Sequence, residues 1–179
     1  MIDALTFWND EFLETFQSIA YTDEDKFYST RRDLVLGALS SLPKGHILDV
    51  GCGGGHVSEA LAKSGWTGEA CDFSPKMVDA AKQRLRWPVS KCNATKLSPY
   101  SDASFDAVLC LGPAEYVGDA AAVYREAWRV LKPGGMFICA HINALFDLVT
   151  CDKFTVEFLI NMFPVGERMR PYLEARLSG

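Results

Sequence analysis

The sequence lacks the features that would place it in several common classes. None of its six cysteines, at 52, 71, 92, 110, 139 and 151, stands in a C-x-x-C pair, which removes the usual zinc and dithiol frameworks. Four of them lie in or at the ends of apolar runs. Buried free thiols in a reducing cytosol are therefore expected, with a disulfide or metal role the lesser alternative. No apolar run reaches the roughly 18 residues of a spanning helix. Asp3, Asp10 and Glu11 occupy the N-terminus without a basic leader, so it reads as neither signal nor transit peptide. Positive charge is also scarce: 18 basic against 23 acidic residues give a net charge of −5. That balance attracts neither phosphate backbones nor anionic lipid. The expectation is a cytoplasmic protein that binds no nucleic acid, membrane or metal. No internal repeat or low-complexity tract is visible.

What the chain does have is a core. Its 179 residues are 49% hydrophobic, enough for one domain with a buried interior. Leu5, Trp8, Phe12, Phe16 and Ile19 or Ala20 recur at helical spacing and predict a helix over 4–20. A second is expected over about 24–42, with Phe27, Leu34, Ala38 and Leu42 as its apolar set, Val35 and Leu39 beside them, and Pro43-Lys44-Gly45 as its stop. From residue 46 the pattern alternates. Strands are expected to end at Val50, over 67–71, weakly over 88–92, over 105–110, and over 136–142. Helices are expected over 55–64, from Ser74-Pro75 onward, and over 119–131, the last closed by Lys132-Pro133-Gly134-Gly135. Ser74 is placed to cap and Pro75 to occupy the first helical position. Five alternations predict an α/β fold: a Rossmann-like, doubly wound, mainly parallel sheet with helices on both faces.

In such sheets ligands bind beyond the C-terminal strand ends. Ile47-Leu48-Asp49-Val50-Gly51-Cys52-Gly53-Gly54-Gly55-His56 puts a carboxylate inside an apolar strand end, followed by a glycine cluster and a helix start. A buried carboxylate is costly unless something requires it, and the glycines let a ligand approach the backbone. Asp72 ends the next strand, placed to accept from both hydroxyls of a ribose; the plainer reading is a turn residue ahead of the Ser74 cap. A dinucleotide fingerprint requires a third glycine at 56, where His56 stands. Asp49 beside the first glycine also suits a cationic or amino-bearing ligand better than a pyrophosphate.

Asp49-Val50-Gly51-Cys52-Gly53-Gly54-Gly55 resembles the first motif of the class I S-adenosylmethionine-dependent methyltransferases of the methyltransferase-11-like kind. The likeness continues in order through Asp72-Phe73-Ser74-Pro75-Lys76-Met77, Ser104-Phe105-Asp106-Ala107-Val108, and the run from Arg125 to Gly135, covering about residues 45–142. The resemblance implies that Gly51, Cys52, Gly53 and Gly55 border the methionine part of the cofactor, with Asp49 at its amino end. It implies that Asp72 holds the ribose, Phe73 and Met77 flank the adenine, and Leu111 and Gly112 line the sulfonium side. Where the family has an Asp-Ala pair meeting the adenine amino group, this chain has Asn93-Ala94; an asparagine carbonyl still accepts but lacks the charge. The implied reaction is in-line methyl transfer to a small-molecule acceptor, for which a dedicated base is optional. His141, Glu115 and Tyr116 are the candidates for that role. The plainer and favoured reading of His141 is a backbone-bonded strand-end histidine, and of the other two, pocket wall.

The family's sixth and seventh strands are not found. Residues 143–151, 154–163 and 166–177 read as helices, so 143–179 is expected as a helical tail on the same domain and 1–44 as a lid over the site. The fifth strand would then be an exposed edge, explained by truncation, by cover from the tail, or by a homodimer. The alternatives to an enzyme of this family are an S-adenosylmethionine-binding module without turnover and, more distantly, an NAD-dependent dehydrogenase.

Overall fold

The computed structural model describes residues 26–115 and 117–140. In chain order the elements are α1 (Lys26–Leu39), β1 (His46–Val50), α2 (His56–Lys63), β2 (Thr67–Asp72), α3 (Pro75–Arg84), β3 (Val89–Lys91), β4 (Phe105–Leu111), a 3-10 turn (Pro113–Glu115), α4 (Ala120–Val130) and β5 (Leu131–Ala140). The strands form one sheet in the order β3-β2-β1-β4-β5, and every pairing is parallel. The expected α/β architecture is present.

Why β1 and β4 take the centre follows from their residues. Apolar side chains run nearly without a break through Ile47–Val50 and Ala107–Leu111, as a strand covered on both faces requires. Alternation then sorts them. Leu48, Val50, Val108 and Cys110 pack with Val123, Ala127 and Val130 of α4. Ile47, Ala107, Leu109 and Leu111 pack with Val35 and Leu39 of α1 and Val57 and Leu61 of α2. α3 covers β2 and β3 through Val78, Ala81 and Leu85. Helices therefore lie on both faces. The connections run outward in opposite directions from β1 and β4, and that divergence leaves a crevice between their C-terminal ends.

Two boundaries differ from the periodicity. α1 buries Val35 and Leu39, while Leu34 is 69% exposed. Its phase follows the stripe Arg31, Val35, Leu39, whose apolar members fit the sheet and whose polar member reaches the end of β4. Chain direction also changes sooner than expected after α4: Leu131 caps that helix and already pairs with Phe105. A bulge then spans Lys132–Gly135, with Gly134 at φ 79°, before Met136 pairs with Ala107. Pro133 has no N–H to offer a regular ladder, so the strand accommodates the Pro-Gly-Gly sequence as a bulge.

β5 is an edge of the sheet among the described residues, and Met136 and Cys139 on it are exposed. The expected helix over 4–20, the tail from 143, and the side chains of Phe27, Glu115, Tyr116 and His141 lie outside the described residues. Cys52, Cys71, Cys92, Cys110 and Cys139 are free thiols. No helix among the described residues is long and apolar enough to cross a membrane.

Candidate active site

Three strand ends bring the predicted residues together. Asp49 precedes the last residue of β1 and is 2% exposed. Its Oδ2 accepts from Ser58 Oγ at 2.5 Å, a bond available because Ser58 is on the buried face of α2, nine residues on. Burial is the main cause of an Asp49 pKa raised to about 6, with the Ser58 bond opposing, Asp72 adding repulsion and Arg31 relieving it. A carboxylate held this way is poised to gain from a cation placed nearby.

Asp72 ends β2 directly beside the glycine turn. Its Oδ2 accepts from Gly53 N at 2.9 Å and its Oδ1 from Ser74 N at 2.9 Å. Ser74 itself caps α3 through Met77 N. Asp72 therefore orders the turn, each carboxylate oxygen accepting from a backbone N–H at the end of β2. Desolvation raises its pKa, against the lowering by the backbone donors.

The glycines divide by function. Gly51, at φ 72°, faces Pro113, and a Cβ there would collide with that ring. Gly55, at φ 79°, sits 3.0 Å from Leu85 measured from an added Cβ. These two serve packing. Gly53 and Gly112, at φ 53° and 133°, have nothing within 4 Å of an added Cβ. They lie just beyond the ends of β1 and β4, so their bare backbone borders open space, as a cradle for a bound molecule requires. Gly51 N and Cys52 N are spent on Cys71 O, and Cys52 Sγ turns to Gly53 O at 3.4 Å. Burial pushes the Cys52 thiol up, so it stays neutral and lines the turn without reacting.

Phe73 is 40% exposed at this edge, with Lys91 Nζ 6.0 Å from its ring centre. Met77 is buried at 2% beneath it in sequence, in the first turn of α3. Ala94 and Leu111 are 8% exposed, and Asn93 is exposed two residues after the end of β3. Glu115 lies in the 3-10 turn after β4. Among the described residues no group of three His, Cys, Asp or Glu side chains is set to hold a metal ion.

Arg31, Arg84 and Ser58 escape sequence reasoning. Arg31 of α1 donates from Nη1 to Leu111 O at 3.0 Å, which brings a guanidinium to the same edge. Arg84 donates from Nε to Gly54 O at 3.0 Å and from Nη1 to Glu59 at 3.3 Å, clamping the glycine turn between α2 and α3. Burial, then Arg84, lowers the His56 pKa to about 4, so the histidine in the third-glycine position is neutral near pH 7. Only the buried placement of Ser58 had a sequence signal, its position on the apolar side of α2.

Residues 48–139, just over half of the chain, match the family described as a methyltransferase domain. A ubiquinone biosynthesis O-methyltransferase from Xanthomonas campestris is 31% identical over 136 residues, which span 73% of this chain and 57% of that protein. Among solved structures, an S-adenosylmethionine-dependent methyltransferase from Thermotoga maritima superposes with a TM-score of 0.59 at 26% identity, over 84% of this chain and 63% of that one. The cyclase SpnF superposes with a TM-score of 0.56 at 28% identity, over 66% and 49%. The chain thus spans little more than half the length of the curated relatives it matches. With the sheet order, the glycine turn and the two strand-end aspartates in place, the chain belongs to the methyltransferase domain family.

Proposed function

We propose that this protein binds S-adenosylmethionine across the ends of β1, β2 and β4 and transfers its methyl group to a small-molecule acceptor. The observation that carries the reading is the meeting of Asp49, Asp72, Gly53 and Gly112 at one open edge. Gly53 and Gly112 leave backbone room for the methionine chain. Asp49, from beneath, favours the amino group by charge, and Arg31, from α1, favours the carboxylate. Asp72 accepts from the ribose hydroxyls, and the base extends toward Phe73, Met77 and the Asn93-Ala94 turn. Cys52 and Leu111 complete the lining. S-adenosylmethionine supplies the electrophilic methyl, so the chain's own task is alignment. Glu115, Tyr116 and His141 stay as the candidate proton acceptors. Because the Xanthomonas relative is an O-methyltransferase, a hydroxyl-bearing acceptor is the first class to screen.

A second reading is an S-adenosylmethionine-binding protein without methyl turnover. It is favoured by a cyclase among the fold neighbours. Titration calorimetry with S-adenosylmethionine, S-adenosylhomocysteine and NAD decides among the ligands. Binding of the first two is expected; binding of NAD alone would overturn both readings. Release of S-adenosylhomocysteine in the presence of an acceptor separates the enzyme from the binder. Light scattering reads whether the β5 edge pairs two copies.

A further inference from the structure

Asp49 and Ser58 are the buried polar side chains among the described residues, at 2% and 0% exposed, and they bond to each other. Asp49 sits in β1 between Leu48 and Val50. Ser58 lies in the first turn of α2, beside Val57 on the buried side of that helix. For folding alone the pair is a cost. Apolar side chains of similar size would fill both positions without taking a carboxylate and a hydroxyl out of water.

A carboxylate offers about four lone-pair sites on two oxygens. Ser58 Oγ takes one of them on Oδ2. Oδ1 accepts from no described residue, yet it is not sealed from solvent. At the C-terminal end of β1 that access is the crevice. The hydroxyl therefore fixes the rotation of the carboxylate, leaves Oδ1 for a ligand, and supports the charged form against burial. Few other groups face Asp49. Asp72 at the end of β2 adds repulsion, Arg31 of α1 relieves it, and the thiol of Cys52 in the glycine turn stays neutral.

We propose that Ser58 is a positioning residue for the methyl donor: its buried hydroxyl holds one oxygen of Asp49 and so aims the other at the ammonium group of the cofactor. The inference rests on the reading of Asp49 as the partner of that amino group.

The test is calorimetry with S-adenosylhomocysteine and with its deamino analogue, which lacks the α-amino group. Ser58→Ala is expected to weaken S-adenosylhomocysteine about tenfold at pH 7, the effect of losing one hydrogen bond to a charged acceptor. Binding of the deamino analogue should stay within about twofold. The midpoint of the pH dependence of S-adenosylhomocysteine binding should rise by about one unit, because the charged form of Asp49 has lost its donor. Ser58→Cys, close in size but a weaker donor, should fall between the two chains. In an Asp49→Asn background, Ser58→Ala should change affinity by less than about twofold, since no charge remains to be held. Equal effects of Ser58→Ala on the two ligands, or an effect that persists beside Asp49→Asn, would make Ser58 a packing residue of α2 and overturn the inference while leaving the site intact. If the natural chain binds neither ligand, the placement of the cofactor itself fails.

Discussion

The two edges of the sheet use the same residue type in opposite ways. At the C-terminal edge, Asp49 and Asp72 are held above their ordinary pKa by burial, with no direct ion pair to either carboxylate in the described residues. At the N-terminal edge, Asp106 accepts from Lys132 Nζ and His46 N, each at 2.8 Å, and its pKa falls, first through Lys132 and then through the His46 N–H. Glu126 falls likewise beside Arg129, which also reaches Asp102, Tyr100 O and Leu97 O. One edge has partners for its charges and the other has open glycines. A carboxylate with a raised pKa beside open space is a cost in the free protein that a cationic or hydroxyl-bearing ligand removes; a satisfied one is scaffold.

The sharpest way to break this contrast is at Asp72. Asp72→Ala should weaken S-adenosylhomocysteine binding by about 1.5–3 kcal/mol, the worth of hydrogen bonds to a charged acceptor, measured by calorimetry. The unfolding free energy should change by less, because the raised pKa already reduces what the ionised group contributes. Unchanged affinity with a large loss of stability would make Asp72 a turn residue only.

Asp49 gives the next effect, and its sign is distinctive. A folded pKa of about 6 lies above the ordinary 3.8. The native state therefore holds more protons between these values, and the Asp49 contribution to stability declines as pH rises from about 4 to 6. His56 runs the other way: its folded pKa of about 4 lies below 6.5, so its contribution rises with pH across nearly the same window. The two partly cancel in the natural chain. Asp49→Asn isolates the first, and its unfolding free energy should overtake that of the natural chain by about 2–3 kcal/mol at pH 7 relative to pH 4. Ligand affinity should respond with the opposite sign. S-adenosylmethionine binding by the natural chain should strengthen about tenfold from pH 5 to 7, as Asp49 ionises, and this dependence should vanish in Asp49→Asn. Parallel pH profiles for the two chains would remove Asp49 from the site.

Much of this edge was legible beforehand because its cues are local. A strand ending in Asp49 and glycines, a second ending in Asp72, and a Ser-Pro helix start each lie within a few residues of one another, and the helix cap formed as read. Glu115 and the turn from Pro113 were not seen as a 3-10 element, since its Pro113 is set by packing against Gly51, 62 residues away in sequence. The phase of α1, and with it Arg31, depends on which apolar pair the sheet accepts, and periodicity offered two stripes. Arg84 reaches Gly54 across 30 residues. Asn93 shows the limit most clearly: residue type allowed an acceptor, and Thr95 N and Oγ1 both take that acceptor within the turn. Local chemistry is readable; the partner that spends it is tertiary.

The smallest effect should come from the opposite edge, where it serves as the control. Asp106→Asn removes an ion pair whose side chains are 42% and 39% exposed, so solvent screening limits its worth. The His46 N–H retains an acceptor in the amide oxygen. A stability loss of about 1 kcal/mol or less is expected near neutral pH. Because the folded pKa of Asp106 is depressed, that contribution is present above the ordinary carboxylate range and disappears as pH falls through the folded value. Denaturant titrations at pH 7 and pH 3 should therefore show a gap that closes on acidification. S-adenosylhomocysteine affinity should stay within about twofold, since nothing in the Asp106 cluster reaches Asp49, Gly53 or Gly112. If affinity dropped with stability unchanged, the two edges would be coupled through β4, and the division between a satisfied scaffold edge and a ligand edge would fail.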